Sequence, residues 1–167
     1  MLVILMASKR RRGTAIVETS KGILVVSHNN RTFYLPGGGA EKGESRKEAA
    51  IRELKEETNL QTLSCSFLFE YDSLNNSHKV FSITSTGIAK PSNEIQFIDY
   101  FNGSNLKVSN TVWEILDLYK AIKITKAFLK NGQRRETKDC HKNKLNKKNG
   151  KAQSLNRCNK AFGVLDN

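Results

Sequence analysis

The chain of 167 residues carries 28 Lys and Arg against 16 Asp and Glu, a formal charge of +12, and 38% of its residues are hydrophobic. That length and apolar fraction suffice for one domain with its own core and some surplus chain. The cysteines Cys65, Cys140 and Cys158 form an odd set without CxxC spacing, which argues against a disulfide framework or a zinc ribbon and favours a reducing, cytoplasmic setting.

The first residues run MLVILMA and then Lys9 to Arg12. A secretory signal needs the reverse order and a membrane span needs about 20 apolar residues, so neither export nor membrane insertion is expected. We read 1–12 as a lead-in or edge strand, with a targeting address or a phosphate-binding patch at Lys9 to Arg12 as the alternatives. From Gly13, Ala15 to Val17, a turn at Ser20-Lys21-Gly22 and the branched run Ile23 to Val26 predict a β-hairpin. A second turn at His28 to Asn30 leads to a short strand, Thr32 to Leu35, which Pro36 ends; Phe33 and Tyr34 are placed to border a pocket, one of them as core. Gly37, Gly38 and Gly39 follow, a run whose missing side chains let the backbone come close to something.

Ser45 and Glu48 form a capping box, which predicts a helix over 46–58, closed by Asn59 in the left-handed conformation. Glu53, Glu56 and Glu57 fall at i, i+3 and i+4, a spacing that predicts three carboxylates on one face. Each like-charged neighbour costs roughly 0.2–0.5 kcal/mol on an exposed helix. A divalent cation among the carboxylates offsets that repulsion, and an oxygen-only donor set favours Mg²⁺, then Mn²⁺. Ala50, Ile51, Leu54 and Thr58 supply the opposite, sheet-facing stripe.

Gly38, five residues, Glu44, seven residues, Arg52-Glu53, Leu54, Lys55, Glu56-Glu57, Thr58, Asn59 and Leu60 together resemble the signature of the Nudix hydrolases, with Asn59 in place of the signature's last glycine. The departure is mild, since Asn tolerates positive φ. The resemblance, which covers about residues 13 to 125, implies an α/β fold, an α/β/α sandwich around a mixed β-sheet, and hydrolysis of a phosphoanhydride in a nucleoside diphosphate linked to another group. One such reaction is an 8-oxo-dGTP diphosphatase-like cleavage of an (oxidised) nucleoside triphosphate to monophosphate and pyrophosphate; ADP-ribose, dinucleoside polyphosphates and capped RNA are open beside it. It implies metal ligation by Glu53, Glu56 and Glu57 with support from Glu44, orientation of a box carboxylate by Arg52, and a substrate-binding glycine stretch, Gly37 to Gly39. The general base is Glu53 or Glu56 within the box, or Glu94, with Asp99 behind it, from a loop outside. The competing reading is a catalytically silent Nudix domain that binds nucleotide or RNA.

After the box, Leu63 to Tyr71 and Lys79 to Ala89 predict a hairpin joined by a polar loop. Residues 93–101 predict a strand with Ile95, Phe97 and Tyr100 inward, and a second helix is expected over about 110–130 with Val112, Ile115, Leu116, Tyr119 and Ile122 on one stripe. Asn110, at the start of that helix, is either its N-cap or a purine-reading amide of the kind MutT-type enzymes carry. Residues 130–160 hold eleven Lys and Arg against Glu136 and Asp139 alone. We therefore expect 13–129 to be the folded domain and 130–167 a disordered basic tail, open to nonspecific nucleic-acid contact. Either a monomer or a homodimer is compatible with the sequence.

Overall fold

Residues 8–103 and 105–130 are described by the computed structural model. The basic segment from 131 to 167, with Cys140 and Cys158, lies outside the described residues, as do residues 1–7. Strands β1 (Arg10–Ile16), β2 (Glu18–Thr19), β3 (Gly22–Ser27) and β4 (Gly37–Gly39) precede helix α1 (Arg46–Thr58), and β5 (Gln61–Asp72), β6 (Asn76–Thr86) and β7 (Phe97–Phe101) follow it. They form a four-stranded sheet in the order β4-β1-β6-β5 and a three-stranded sheet in the order β2-β3-β7. In the first, β1 runs parallel to β6 and antiparallel to β4, so the sheet is mixed, as expected. A parallel pair requires a long crossover. Here it carries α1 and β5.

Two clusters of buried side chains lie on the two faces of these strands. Ala15, Leu24 and Phe81 join Ala50 and Leu54 of α1 in one. Their sequence neighbours Ile16, Val25 and Val80 join Val112, Ile115 and Leu116 in the other. Consecutive strand residues enter opposite cores because side chains alternate along a strand. Both faces are therefore covered, and the arrangement is the α/β/α sandwich that the sequence predicts.

Three strand expectations change. The hairpin forms between β2 and β3, with Thr19 opposite Gly22, whereas Ala15 and Ile16 belong to the other sheet; Val17 is the link between them, its carbonyl accepting from Leu24 N at 3.0 Å. Thr32 to Leu35 makes only isolated bridges, Val26 to Tyr34 and Phe33 to Val108, because Asn30 takes a left-handed turn (φ 58°) just before it and Pro36 has no N–H to extend a ladder. In the third, the strand starts at Phe97, after Asn93 turns at φ 52°. Ile95 is buried as expected, but Phe101 rather than Phe97 enters the core, and Ile98 and Tyr100 pack against the opposite cluster.

Helix α1 has the ends its sequence predicts. Glu48 N donates to Ser45 Oγ at 3.2 Å and Ser45 N donates to Glu48 Oε2 at 2.8 Å. Asn59 adopts φ 61° and returns its N–H to the Lys55 carbonyl at 2.8 Å. Helix C-termini leave carbonyls without helical partners. Lys90 N and Ser92 N satisfy two of them, on Thr58 and Glu57 at 3.0 and 3.1 Å, which brings the loop carrying Glu94 beside the end of α1. The helix also crosses β1 closely: a Cβ on Gly13 would stand 2.0 Å from the Arg46 carbonyl oxygen.

The second helix, α2, spans 110–130. Its cap is Ser109, whose Oγ accepts from Val112 N at 3.3 Å, so Asn110 is the first helical residue and not the N-cap. The chain divides into two compact units after Tyr119. Val112, Ile115, Leu116 and Tyr119 are buried within the first. In the second, residues 120–130 are helical and mostly exposed. Among the described residues no helix is long and apolar enough to cross a membrane.

Candidate active site

Four acidic residues and one guanidinium gather where α1 passes the glycine strand β4. Arg52 uses all five of its N–H donors there. Nε and Nη2 hold the two oxygens of Glu44 at 2.9 and 3.1 Å, Nη1 holds Glu53 at 2.9 Å and Glu56 at 3.0 Å, and Nη2 also reaches the Gly39 carbonyl at 3.2 Å. Hydrogen bonds donated to Glu44 above all, then those to Glu53 and Glu56, raise the Arg52 pKa, and the same contact holds the Glu44 carboxyl below its usual range. Three carboxylates thus share one cation, and the cluster keeps an excess of negative charge.

Glu57 is separate. It is 7% exposed, and its Oε2 accepts from Gly37 N at 3.1 Å. Burial first, then the charges of Glu53 and Glu94, push its pKa up to about 8 against the opposing pull of the Gly37 N–H and Arg12. The three glutamates expected on one face therefore divide, Glu53 and Glu56 around Arg52 and Glu57 toward the sheet. The cause is the helix's own register, since Leu54, Glu57 and Thr58 all fall on its buried side.

What reunites them is the glycine run. Instead of an open loop, Gly37 to Gly39 is a strand paired with β1. A Cβ on Gly38 would sit 1.9 Å from Glu53 Oε1. Glu53 and Glu57 therefore flank two consecutive residues, one against the Cα of Gly38 and the other on the N–H of Gly37. Among the described residues no three acidic, His or Cys side chains are already gathered around a common metal position. The donor chemistry nevertheless suits a hard divalent cation: the groups are carboxylate oxygens in excess of their counter-charge, and burial leaves Glu57 short of a cationic partner.

Beside Glu57 and Gly37 opens a cavity of about 370 Å³. Tyr34, Ile95 and Val112 supply its apolar wall, and Arg12, Thr14 and His78 its polar end. Phe33 is core and Tyr34 borders the cavity, as the sequence predicts. His78 is buried, with Nδ1 2.9 Å from Thr14 Oγ1 and Nε2 3.4 Å from Ser73 Oγ. Burial, reinforced by the charge of Arg12, brings its pKa down to about 4, so it is neutral at physiological pH.

The remaining candidates are less central. Glu94 is exposed, its backbone carbonyl lies 3.1 Å from His28 Nδ1, and its charge is felt at Glu57. Asp99 is exposed on β7, its carboxylate accepting from Tyr100 N at 2.7 Å. Asn110 is exposed, while its neighbours Ser109 and Thr111 line the cavity. Sequence reasoning missed Thr14 and His78 and treated Arg12 as part of a patch. The signal was there in Arg10, Arg12, Thr14 and Ile16, which alternate with period two and share one face of β1.

Comparison with known proteins identifies the family of the chain. The family model for the NUDIX domain matches residues 9–115, more than half of the 167-residue chain. A solved structure from Chromobacterium violaceum, described as a candidate member of the nudix hydrolase family, is similar at 36% identity with a TM-score of 0.67, covering 71% of this chain and 81% of that one. YtkD of Bacillus subtilis, whose name proposes an 8-oxo-dGTP diphosphatase, is 42% identical over 48 residues, 29% of this chain and 30% of its own. An ADP-ribose pyrophosphatase of Methanocaldococcus jannaschii is 42% identical over 62 residues, 35% of this chain and 37% of its own. The matches thus span about a third of the length of these two relatives. The matched span reaches from the start of β1 into α2 and contains the whole carboxylate cluster, and the chain belongs to the NUDIX domain family.

Proposed function

We propose that this NUDIX domain is a divalent-metal-dependent hydrolase of a phosphoanhydride bond in a nucleoside diphosphate linked to another group. The observation that carries the reading is the saturation of Arg52 by Glu44, Glu53, Glu56 and the Gly39 carbonyl, with Glu57 one helix position further on at the Gly37 N–H and the cavity beside it. A purely structural salt-bridge network has no use for a surplus of carboxylates around one cation.

Glu53, Glu56 and Glu57 would hold the metal, Mg²⁺ first and Mn²⁺ second. When bound, the ion supplies charge neutralisation of the diphosphate oxygens and polarisation of the phosphorus. The chain's own residues do the rest. Arg52 restricts the rotamers of Glu53 and Glu56, and Glu44 restricts Arg52 in turn, so the ligands are oriented before substrate arrives. Gly38 leaves the space in which the Glu53 carboxylate lies. The apolar wall of the cavity takes the nucleoside side of the substrate, with Tyr34 as its aromatic member. Proton removal from the attacking water falls to Glu53 or Glu56, with Glu94 as the loop-borne alternative.

The test is product release by wild type and Glu56→Gln with Mg²⁺ or Mn²⁺ across 8-oxo-dGTP, the ordinary dNTPs, ADP-ribose and diadenosine polyphosphates. Metal-dependent turnover that falls by at least about a hundredfold in the variant is expected. Absence of turnover across the panel would remove the hydrolase reading.

A further inference from the structure

The polar end of the cavity contains Arg12, whose side chain is hydrogen-bonded to the Gly37 carbonyl and not to the carboxylate cluster. Along β1, Ile16, Thr14, Arg12 and Arg10 occupy one strand face in sequence, from the apolar core at Ile16, through Thr14 and Arg12, which line the cavity, to the exposed Arg10. On the parallel neighbour β6, Val80, His78 and Asn76 stand opposite Thr14, Arg12 and Arg10. The face thus changes from aliphatic to hydroxyl and imidazole and then to guanidinium within a few residues.

Arg12 is half-buried there. Its Nη2 donates to the Gly37 carbonyl at 2.5 Å, which occupies one of its five donors. Glu53 and Glu56 are bonded to Arg52, and Glu57 to the Gly37 N–H. The charges of Glu57 and Glu53 reach Arg12 only through space, while Arg10 repels it. A partly desolvated guanidinium with one neutral partner has a strong demand for an anion. Its position specifies which one: Gly37 turns its N–H to Glu57 and its C=O to Arg12. An anion on Arg12 therefore lies one residue away from a carboxylate proposed to hold the metal.

We propose that Arg12, with Arg10 behind it, binds a phosphate of the substrate beyond the pair joined by the scissile bond. The site then takes nucleoside triphosphates or longer polyphosphates ahead of diphosphates whose second group is a neutral sugar, such as ADP-ribose. A guanidinium fits a phosphate bidentately, whereas a ribose hydroxyl leaves its charge uncompensated. The substrate choice rests on the hydrolase reading above, but the anion site does not.

Two measurements on the full chain separate them. In the first, inorganic tripolyphosphate is titrated calorimetrically without divalent metal into wild type, Arg12→Gln and Arg12→Lys, each first checked for folding by thermal unfolding. The basic segment from 131 to 167 contributes equally to all three, so the difference reports the cavity. Affinity lower by about tenfold in Arg12→Gln and intermediate in Arg12→Lys is expected; equal affinity in all three overturns the proposal. In the second, kcat and KM are measured with Mg²⁺ on dGTP and ADP-ribose. Wild type should favour the triphosphate in kcat/KM, and Arg12→Gln should reduce that preference about tenfold through KM. A wild-type preference for ADP-ribose, or a loss confined to kcat, overturns the substrate choice. Tripolyphosphate binding that depends on Arg12 without turnover of either nucleotide overturns the hydrolase reading and leaves the anion site standing.

Discussion

Arg52 grips Glu44 with two parallel bonds, Nε to Oε1 at 2.9 Å and Nη2 to Oε2 at 3.1 Å, and so fixes the plane in which Nη1 reaches Glu53 and Glu56. Lys keeps the charge but has no fork, and cannot serve three carboxylates and a carbonyl in one geometry. Arg52→Lys should therefore fold normally and lose about 10–100-fold in kcat, with a matching loss of metal affinity. Steady-state kinetics over a metal titration check this. Wild-type kinetics in the variant would show that the guanidinium does not orient the ligands.

Glu57 makes stability depend on pH in the metal-free protein. Its folded pKa is about 8 against 4.5 in the unfolded chain. Between those values the folded state holds the proton that the unfolded state has released, so stability is greatest below the unfolded pKa and falls as pH rises toward 8. The loss is on the order of a few kcal/mol. Glu57→Gln keeps the acceptor for Gly37 N without the charge. Denaturant unfolding with a chelator present should show wild type losing stability relative to Glu57→Gln from pH 5.5 to pH 8. Parallel curves would refute the burial account.

His78 has the opposite sign. Its folded pKa is about 4 against the ordinary 6.5, so the unfolded state takes up the proton first as pH falls. The contribution is complete above pH 6.5 and disappears toward pH 4, on the order of 2–3 kcal/mol. An NMR titration of the imidazole in the folded protein should find it neutral at pH 5.5. A midpoint near 6.5 would mean that the imidazole is not buried beside Arg12.

Much of this was legible in the sequence because it is local. The capping box at Ser45 and Glu48, the Asn59 stop and the spacing of Arg52 to the glutamates all act within a few turns of one helix, and the α1 boundaries agree with them. Leu63 to Tyr71 and Lys79 to Thr86 pair as a hairpin because they are neighbours in the chain, with the second strand ending before the predicted Ala89. The rest depends on long-range contacts. Arg12 stands opposite His78 only because β1 pairs with β6 across 66 positions, and Glu57 departs from Glu53 and Glu56 because the sheet lies under its side of α1. Phe97 follows the same logic, since hydrophobicity predicts burial but the register with β3 determines it. Asn110 was ambiguous between cap and ligand, and the adjacent Ser109 takes the cap.

Gly13 and Gly38 both prevent a clash, with different consequences. A Cβ at Gly13 would meet backbone, the Arg46 carbonyl at 2.0 Å and Ala50 N at 2.6 Å, while one at Gly38 would meet the Glu53 carboxylate at 1.9 Å. Backbone can yield only by moving α1 off β1, away from the core that Ala50 and Leu54 complete. Gly13→Ala should therefore destabilise the fold by about 2–4 kcal/mol, visible in denaturant unfolding. A carboxylate can swing aside, so Gly38→Ala should cost less than about 1.5 kcal/mol, the energy of an off-rotamer side chain. It should nevertheless lower kcat by roughly a hundredfold, because even a 1 Å displacement of an oriented group has that effect. Stability and kinetics measured on both variants decide the point: equal losses of stability would mean that the Glu53 side chain cannot swing away from a Cβ at Gly38.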